Sequence, residues 1–492
     1  MAEDRVFRNH PSVILRNVVS ACLFIGLMVL LNIGSMTEGE EGGWEIYVLV
    51  VLVAVAAVVA ILSFYFWRKT TYTFTSEEII IRVDTTFKKE NRIQYSKLAS
   101  VNVRRNIFNH LFGTSMLMFN VNSSVNAQAA EGALTLRKDV ADRLRDELNS
   151  MIFQKEITLD EDLQIPTAIH ISNLDVILHG FLAQPTISSI FGLLATIYAI
   201  VMIFMGSSGG IISALFLFFI GEVIPIVTSI LKYYNYRIYR VDDTITIECG
   251  MINNYRSSFK INKVNSVRIR EPLLARAFHM ATLEAEVVGL AGEEAIPILC
   301  PLKRRSEVEA LFRNITPEFC DDDMAPIHQP RAALVPMIIG QGLLAVVVVP
   351  LLFMLYRVLF VELSEYDGFI ADLVSFGIIA AILVSILLMV GYVGLAQSHR
   401  MFARGKDLFL FVHGSFDLNT EYIMYDKVQC TCVTSGLIAR RFGLSRCTVN
   451  LMSSMGFKQV VSGYFGTEDL ESVGDEVVAR IRDGRYDYRR FY

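Results

Sequence analysis

Residues 97–121, KLASVNVRRNIFNHLFGTSMLMFNV, decide the fold, because the chain writes this stretch three times. It returns at 263–287 as KVNSVRIREPLLARAFHMATLEAEV and at 427–451 as KVQCTCVTSGLIARRFGLSRCTVNL, with no gap inside any copy. The offsets are 166 and then 164 residues. Lys97, Lys263 and Lys427 share one column, and Phe112, Phe278 and Phe442 share another. Upstream, Asp84, Gly250 and Gly414 form a third. A fixed period of this kind marks one structural unit repeated.

Working outward, each copy is preceded by two long apolar stretches, at 17–34 and 46–66, 181–205 and 211–231, and 334–356 and 369–394. Each is close to the roughly 20 residues a helix needs to cross a bilayer. Apolar residues make up 53% of the chain, only 19% are charged and mean hydropathy is +0.44, a membrane-type composition. Lys and Arg are absent from the link SMTEGEEGGWE, whereas Arg5, Arg8 and Arg16 precede the first pair and Arg68 and Lys69 follow it. Lys232, Arg237 and Arg240 follow the second pair, and Arg400 and Arg404 the third. By the positive-inside rule, both termini and all three repeats are expected on the cytoplasmic side of a bacterial plasma membrane.

The repeats themselves read as sheet. Short β-branched and aromatic runs with polar breaks, such as TTYTFTSEEIIIRVD and YRIYRVDDTITIECG, predict antiparallel strands. LRKDVADRLRDELNSM, LKRRSEVEALFRNI and GTEDLESVGDEVVARI then show apolar residues at helical spacing and predict a closing helix per unit. Short lead-ins at 169–175 and 327–331, with His10-Pro11 at the matching place in the first unit, predict elbows lying along the inner membrane interface.

Two membrane helices followed by a β unit with an Ile/Leu-x-x-x-Lys-x-x-Ser-Val run and a later Phe-Gly turn resemble the bacterial pleckstrin-homology (PH) domain membrane proteins. The run is carried at 93–101, 261–267 and 423–428, and the turn by Leu111-Phe112-Gly113, Arg276-Ala277-Phe278 and Arg441-Phe442-Gly443. His279 stands where the other copies have glycine, and Thr431 replaces valine in the third. The triple arrangement is similar to the YdbT-like group of that family. The resemblance implies PH-like barrels with a C-terminal helix, no established catalytic residue, and a smaller single-PH membrane protein of the same family as partner.

The expected fold class is therefore a polytopic α+β membrane protein: three repeats of a transmembrane hairpin and a cytoplasmic PH-like β-barrel with a closing helix. The boundaries fall at 1–68 for the first hairpin with its elbow and 69–153 for the first barrel. The second hairpin and barrel occupy 166–233 and 234–316, and the third 327–396 and 397–483. A basic and aromatic tail follows at 484–492.

Chemistry is sparse. Gly206-Ser207-Ser208-Gly209-Gly210 contains serine-hydrolase-like strings, but all eight histidines are expected near the opposite face, so no base reaches the serine. The seven cysteines are scattered and expected as free thiols, with Cys430 and Cys432 on one face of a strand. No catalytic, cofactor or metal site is expected, and a net charge of −5 argues against nucleic acid as partner. Glu222 sits in FFIGEVIPIV just before Pro225. A carboxyl in such a stretch marks either a proton or substrate site or a protonated structural group, and Gln341 is a candidate partner for it. Arg104, Arg105, Arg268, Arg270, Arg304, Arg305, Arg440 and Arg441 are candidates for contact with membrane lipids or partners. No copy has the dense basic loop of phosphoinositide-binding PH domains.

The expected function is a non-catalytic plasma-membrane protein whose PH-like domains mediate protein–protein assembly, in an envelope complex that defends against membrane-active peptides. The rival is a transporter or lipid-handling protein built on the six apolar helices and Glu222.

Overall fold

The computed structural model describes residues 5–31, 44–121, 132–153, 171–190, 218–288, 297–344 and 368–484, apart from short breaks at 86–87, 96–97, 106, 252–253 and 454–455. Positions 192, 196, 350 and 354 are described singly.

Each unit is two three-stranded meanders closed by a helix. The first meander is β2 (Thr70–Phe74), β3 (Glu78–Asp84) and β4 (Lys88–Gln94) in unit 1. It is β8 (Arg237–Val241), β9 (Thr244–Cys249) and β10 (Asn254–Lys260) in unit 2. In unit 3 it is β15 (Met401–Arg404), β16 (Leu408–Gly414) and β17 (Leu418–Met424). The second meander is β5 (Leu98–Arg105), β6 (Thr114–Val121) and β7 (Gly132–Arg137), then β11 (Val264–Glu271), β12 (Met280–Val287) and β13 (Ile298–Arg304). Its third copy is β18 (Val428–Thr434), β19 (Leu444–Ser453) and β20 (Gly456–Val461). The closing helices are Lys138–Phe153, Arg305–Ile315 and Thr467–Arg482.

Period-two alternation puts one face of each strand inward. Ile79 and Ile81 of β3 are buried, as are Phe409 and Phe411 of β16. The closing helices bury stripes at helical spacing: Ala141, Leu144 and Leu148, then Val308, Leu311 and Ile315, then Leu470 and Val473. Each large side chain so buried contributes about 1.5–3 kcal/mol. In unit 1 this stripe covers Phe74, Ile79, Leu117, Phe119 and Leu134.

The repeated stretch spans β5 to β6 and its two counterparts. Between those strands sits a short helix, Ile107–Leu111, Leu273–Ala277 or Leu437–Arg441. It ends on a residue in the left-handed region: Gly113 at φ 60°, His279 at 55° and Gly443 at 67°. That conformation terminates the helix and turns the chain back into the sheet. His279 adopts it although it carries a Cβ, which is why the glycine could be lost there without losing the turn. In the upstream column, Gly250 and Gly414 have φ 115° and 97°, whereas Asp84 has no positive φ.

The lead-in at 327–331 differs from expectation. Rather than an elbow, Ile327–His328 forms β14, antiparallel to Phe402 and Met401 of β15. Likewise β1 (Arg5–Phe7) pairs with β2. In the first and third units, chain that precedes the apolar helices thus returns to the barrel and extends its first sheet.

The membrane architecture is corrected. Among the described residues no helix is long and apolar enough to cross a membrane. Most of 191–217 and 345–367, including the glycine-serine turn at 206–210, lies outside the described residues, as does the tail after 484. The described residues form a sheet-rich chain of repeated PH-like barrels rather than a polytopic bundle.

The barrels share sheets. Strands run β7-β6-β5-β10-β9-β8 in one six-stranded sheet, so the second meander of unit 1 continues into the first meander of unit 2. The order β13-β12-β11-β17-β16-β15-β14 repeats this between units 2 and 3.

Candidate functional site

Two features recur in the units and gather the candidate residues: the edge-to-edge joints between barrels, and the end of each barrel that carries the short helix.

At the first joint Arg105, Arg104 and Val103 face Asn254, Tyr255 and Arg256. At the second, Glu271, Arg270 and Ile269 face Leu418, Asn419 and Thr420, and the ladder continues to Ser266 opposite Ile423. Shifted by 166 and 164 residues, the first three pairs are the same pairs. Both joints therefore share one register, which a one-residue slip would destroy by reversing every side chain.

The second joint is filled by buried charge. Glu421 on β17 is fully buried and accepts from Lys458 Nζ, from Ser266 Oγ at 2.8 Å and from His413 Nε2 at 3.2 Å. Lys458 also meets Glu286 at 3.3 Å across the joint. Arg268 grips Glu284, with Nε at 2.9 Å, and Arg270 lies 3.6 Å from Glu284 and 3.8 Å from Asp417. Burial alone would raise the Glu421 carboxyl, but Lys458, His413 and Arg268 outweigh it and hold it well below the usual range. Glu286, with burial dominant, is pushed up. Phe312 of unit 2 packs on Tyr422 of unit 3 with centroids 4.7 Å apart.

Two lysines of the repeated column meet here. Lys427 Nζ donates to the Asn262 carbonyl at 2.5 Å, and burial with nearby Lys263 pushes its ammonium down to about 8. Lys97 lies outside the described residues. Lys427 thus marks a point at which the third barrel meets the second.

The first joint is more open. Arg104 stands over the Tyr255 ring at 5.8 Å, and Arg105 pairs with Asp142 at 2.7 Å while donating to Ser115 Oγ at 2.6 Å. A polar cavity of about 550 Å³ opens beside them, lined by Arg105, Asp142, Asp146, Arg237, Glu248 and Arg256. Much of its charge is already paired, with Arg256 3.0 Å from Glu248.

The short helices present a different surface. Leu437 is 93% exposed and stands with exposed Ile438, Phe442, Arg440 and Arg441. Leu274 and Phe278 are exposed in unit 2, and Leu111 and Phe112 in unit 1. Each short helix also packs at the foot of the apolar helices. Ala439 joins Val393, Ala396 and Met337 in one cluster, and Leu273 N–H donates to Thr186 Oγ1 at 3.2 Å. The helix Ile107–Leu111 touches the helix Ser12–Leu31. The apolar helices are themselves exposed nearby, at Val53, Ile61, Phe64, Leu387 and Val390.

The eight arginines therefore divide. Arg104, Arg105, Arg268 and Arg270 belong to the joints, and Arg305 is held by Glu309 at 2.9 Å and by Glu271. Arg304, Arg440 and Arg441 are exposed. Glu222 sits in a widened, π-type turn, Phe219–Val223, in which Ile224 N–H reaches back to the Phe219 carbonyl. Pro225 has no N–H to give and crowds the preceding turn, which favours such a bulge. The Glu222 side chain lies against Gly192, where a Cβ would have no room. Among the described residues no hydrogen bond joins Glu222 to Gln341, which is half-buried in the helix at 334–344. The joints were missed from sequence. Their only signal was the inward-pointing charge of β11 and β17, VNSVRIRE and LNTEYIM.

Comparison with known proteins bears on this architecture directly. The chain matches the bacterial PH domain family over residues 22–152, 182–318 and 339–481. It is 19% identical over 299 residues to the UPF0699 transmembrane protein YdbT of Bacillus subtilis (strain 168), a match covering 54% of this chain and 60% of that protein. The chain thus spans about three fifths of the length of the curated relative it matches. No solved structure matches. Three barrels of one construction, each inside one matched segment, make this chain a member of the bacterial PH domain family that carries the domain three times.

Proposed function

We propose that the chain is a non-catalytic, membrane-associated scaffold of a bacterial cell, whose short helices rest on the lipid surface while its barrels assemble with one another and with other PH-like units. The observation that carries this reading is the recurrence, in all three barrels, of exposed large apolar side chains on the short helix at the foot of the apolar helices. Basic groups stand beside them at His110, Arg276, Arg440 and Arg441. Apolar residues flanked by arginine suit the boundary between acyl chains and anionic headgroups, where each cation near the surface contributes about 1 kcal/mol. The relative's description as a transmembrane protein points the same way. A smaller single-PH protein of the same family is a further partner that a shared-sheet joint would admit.

The test places a reporter on the patch. Leu437→Trp is introduced in a full chain whose Trp44 and Trp67 are replaced by Phe, and the protein is reconstituted in vesicles containing brominated lipid. Quenching of the reporter indole, weakened when Arg440 and Arg441 become Gln, supports the proposal. Emission typical of water and indifferent to bromine would overturn it.

A further inference from the structure

Both internal joints use the same pair of elements: the first strand of one unit's second meander, and the last strand of the next unit's first meander. Applying the rule to all three units leaves one strand of each kind unused. β18 lies at the edge of its sheet, and β4 lies at the edge of its own, with no strand partner beyond β19 and β3 among the described residues. We propose that β18 of one chain pairs with β4 of a second copy, so that chains join head to tail in the register of the two internal joints. This rests on the scaffold reading and gives it a surface and a partner.

Exposure separates the used strands from the unused ones. In β11, Ser266 is buried and Arg268 half-buried beneath the joint, whereas Cys430 and Cys432 at the same positions of β18 are exposed. In β17, Glu421 and Ile423 are fully buried, whereas β4 is open along most of its length. An open, uncharged, β-branched strand such as β18, VQCTCVT, is a template for pairing unless something covers it. Charge also suits the match. The closing helix over the first joint contributes Asp142 and Asp146, and its counterpart beside β18 carries Glu468, Asp469, Glu471 and Asp475. The arriving edge offers Lys88 and Lys89, while Arg82 and Arg92 are already paired with Glu90 and would bring no bare charge into the joint. Such an interface uses two different surfaces, so it propagates into an open chain or closes into a ring.

Carrying the register across by the same offsets sets Cys432 opposite Asn91 and Thr434 opposite Lys89. The experiment uses the full chain in native membranes with Cys430→Ser and Asn91→Cys, treated with a mild oxidant. Covalent products of two, three and more chains are expected, absent when Cys432 is changed to Ser or when Asn91 is kept. A Thr434→Lys change sets like charges opposite each other and should reduce cross-linking about fivefold, and adding Lys89→Glu should restore it. Two results overturn the proposal: cross-linked dimers that form equally with Asn91 retained but are lost with Cys432→Ser, which means β18 meets β18, and chains that stay single while remaining folded. Bromine quenching of the tryptophan reporter at position 437 is independent of pairing, so a failure here with quenching intact removes the joint and leaves the membrane scaffold standing.

Discussion

Lys458→Met removes the one ammonium shared by Glu421 and Glu286 at the joint between the second and third barrels. Glu421 is fully buried and Glu286 nearly so, so neither carboxylate gains water when the lysine goes. Leaving a buried charge without its partner costs about 3–5 kcal/mol. Ser266 and His413 still bond Glu421, which places the expected loss near the lower end, about 3 kcal/mol. The pH dependence follows from the sign of the shift. In the parent protein the Glu421 carboxyl is depressed, so its contribution is present above the unfolded carboxylate pKa of roughly 4.5 and is lost as pH falls toward the folded value. Without Lys458 the two carboxylates rise instead, and protonation relieves the penalty. The difference between variant and parent should then be largest near neutrality and shrink as pH falls through about 4.5. Hydrogen exchange of the β11 and β17 amides in the full chain reads this locally, since several barrels need not unfold as one. A loss of about 3 kcal/mol lowers protection by about 150-fold. Unchanged protection in both strands at neutral pH, with the fold intact, would refute the idea that this buried network holds the joint.

Three further outcomes are expected. His279→Gly should raise the stability of the second barrel by about 1 kcal/mol, because the left-handed turn no longer carries a Cβ, and Gly443→Ala should lower that of the third by a similar amount; thermal unfolding of each variant checks both. His179 is buried, its Nδ1 accepts from Leu302 N–H at 3.2 Å, and burial pushes it down to about 4. The hold of the helix Asn173–Leu182 on β13 is therefore full above the unfolded pKa of about 6.5 and lost as pH falls toward 4, roughly 3 kcal/mol in all, and amide exchange across that range should show it. Lys427 is depressed to about 8 by burial and Lys263, so the unfolded chain binds more protons between 8 and about 10.5 and stability at this joint should rise with pH there. Lys427→Met should remove the rise, as seen in exchange of the neighbouring Asn262 and Lys263 amides.

Much of the barrel was legible before any coordinates. The offsets of 166 and 164 map β4 onto β10 and β17 residue for residue, and the Phe112, Phe278 and Phe442 column marks the turn that each short helix makes. Period-two alternation and the helical stripes located the cores. Hydropathy alone does not settle the membrane question: apolar stretches of bilayer length imply crossings, and no described helix is long and apolar enough to supply one. Arg268, Arg270, Arg104 and Arg105 looked like surface charge because single-strand patterning cannot say which neighbouring strand lies beside them. Their partners come from other elements of the same barrel, as with Glu284 and Asp142, or from the next barrel, as with Asp417 and Tyr255. The left-handed His279 was visible only as a departure from glycine, and its φ explains how the turn survives. Lead-ins such as Ile327–His328 are too short to declare a strand and become one only by meeting β15.

The shared register of the two joints is the central claim, and paired cysteines test it most directly. Arg104→Cys with Tyr255→Cys spans the first joint, and Arg270→Cys with Asn419→Cys spans the second, each joining residues that face each other across the ladder. Mild oxidation of the full chain should close an intrachain disulfide at both joints, while pairs moved by one residue, Arg104 with Arg256 and Arg270 with Thr420, stay open. Closure of a displaced pair, or of only one joint, would contradict the account.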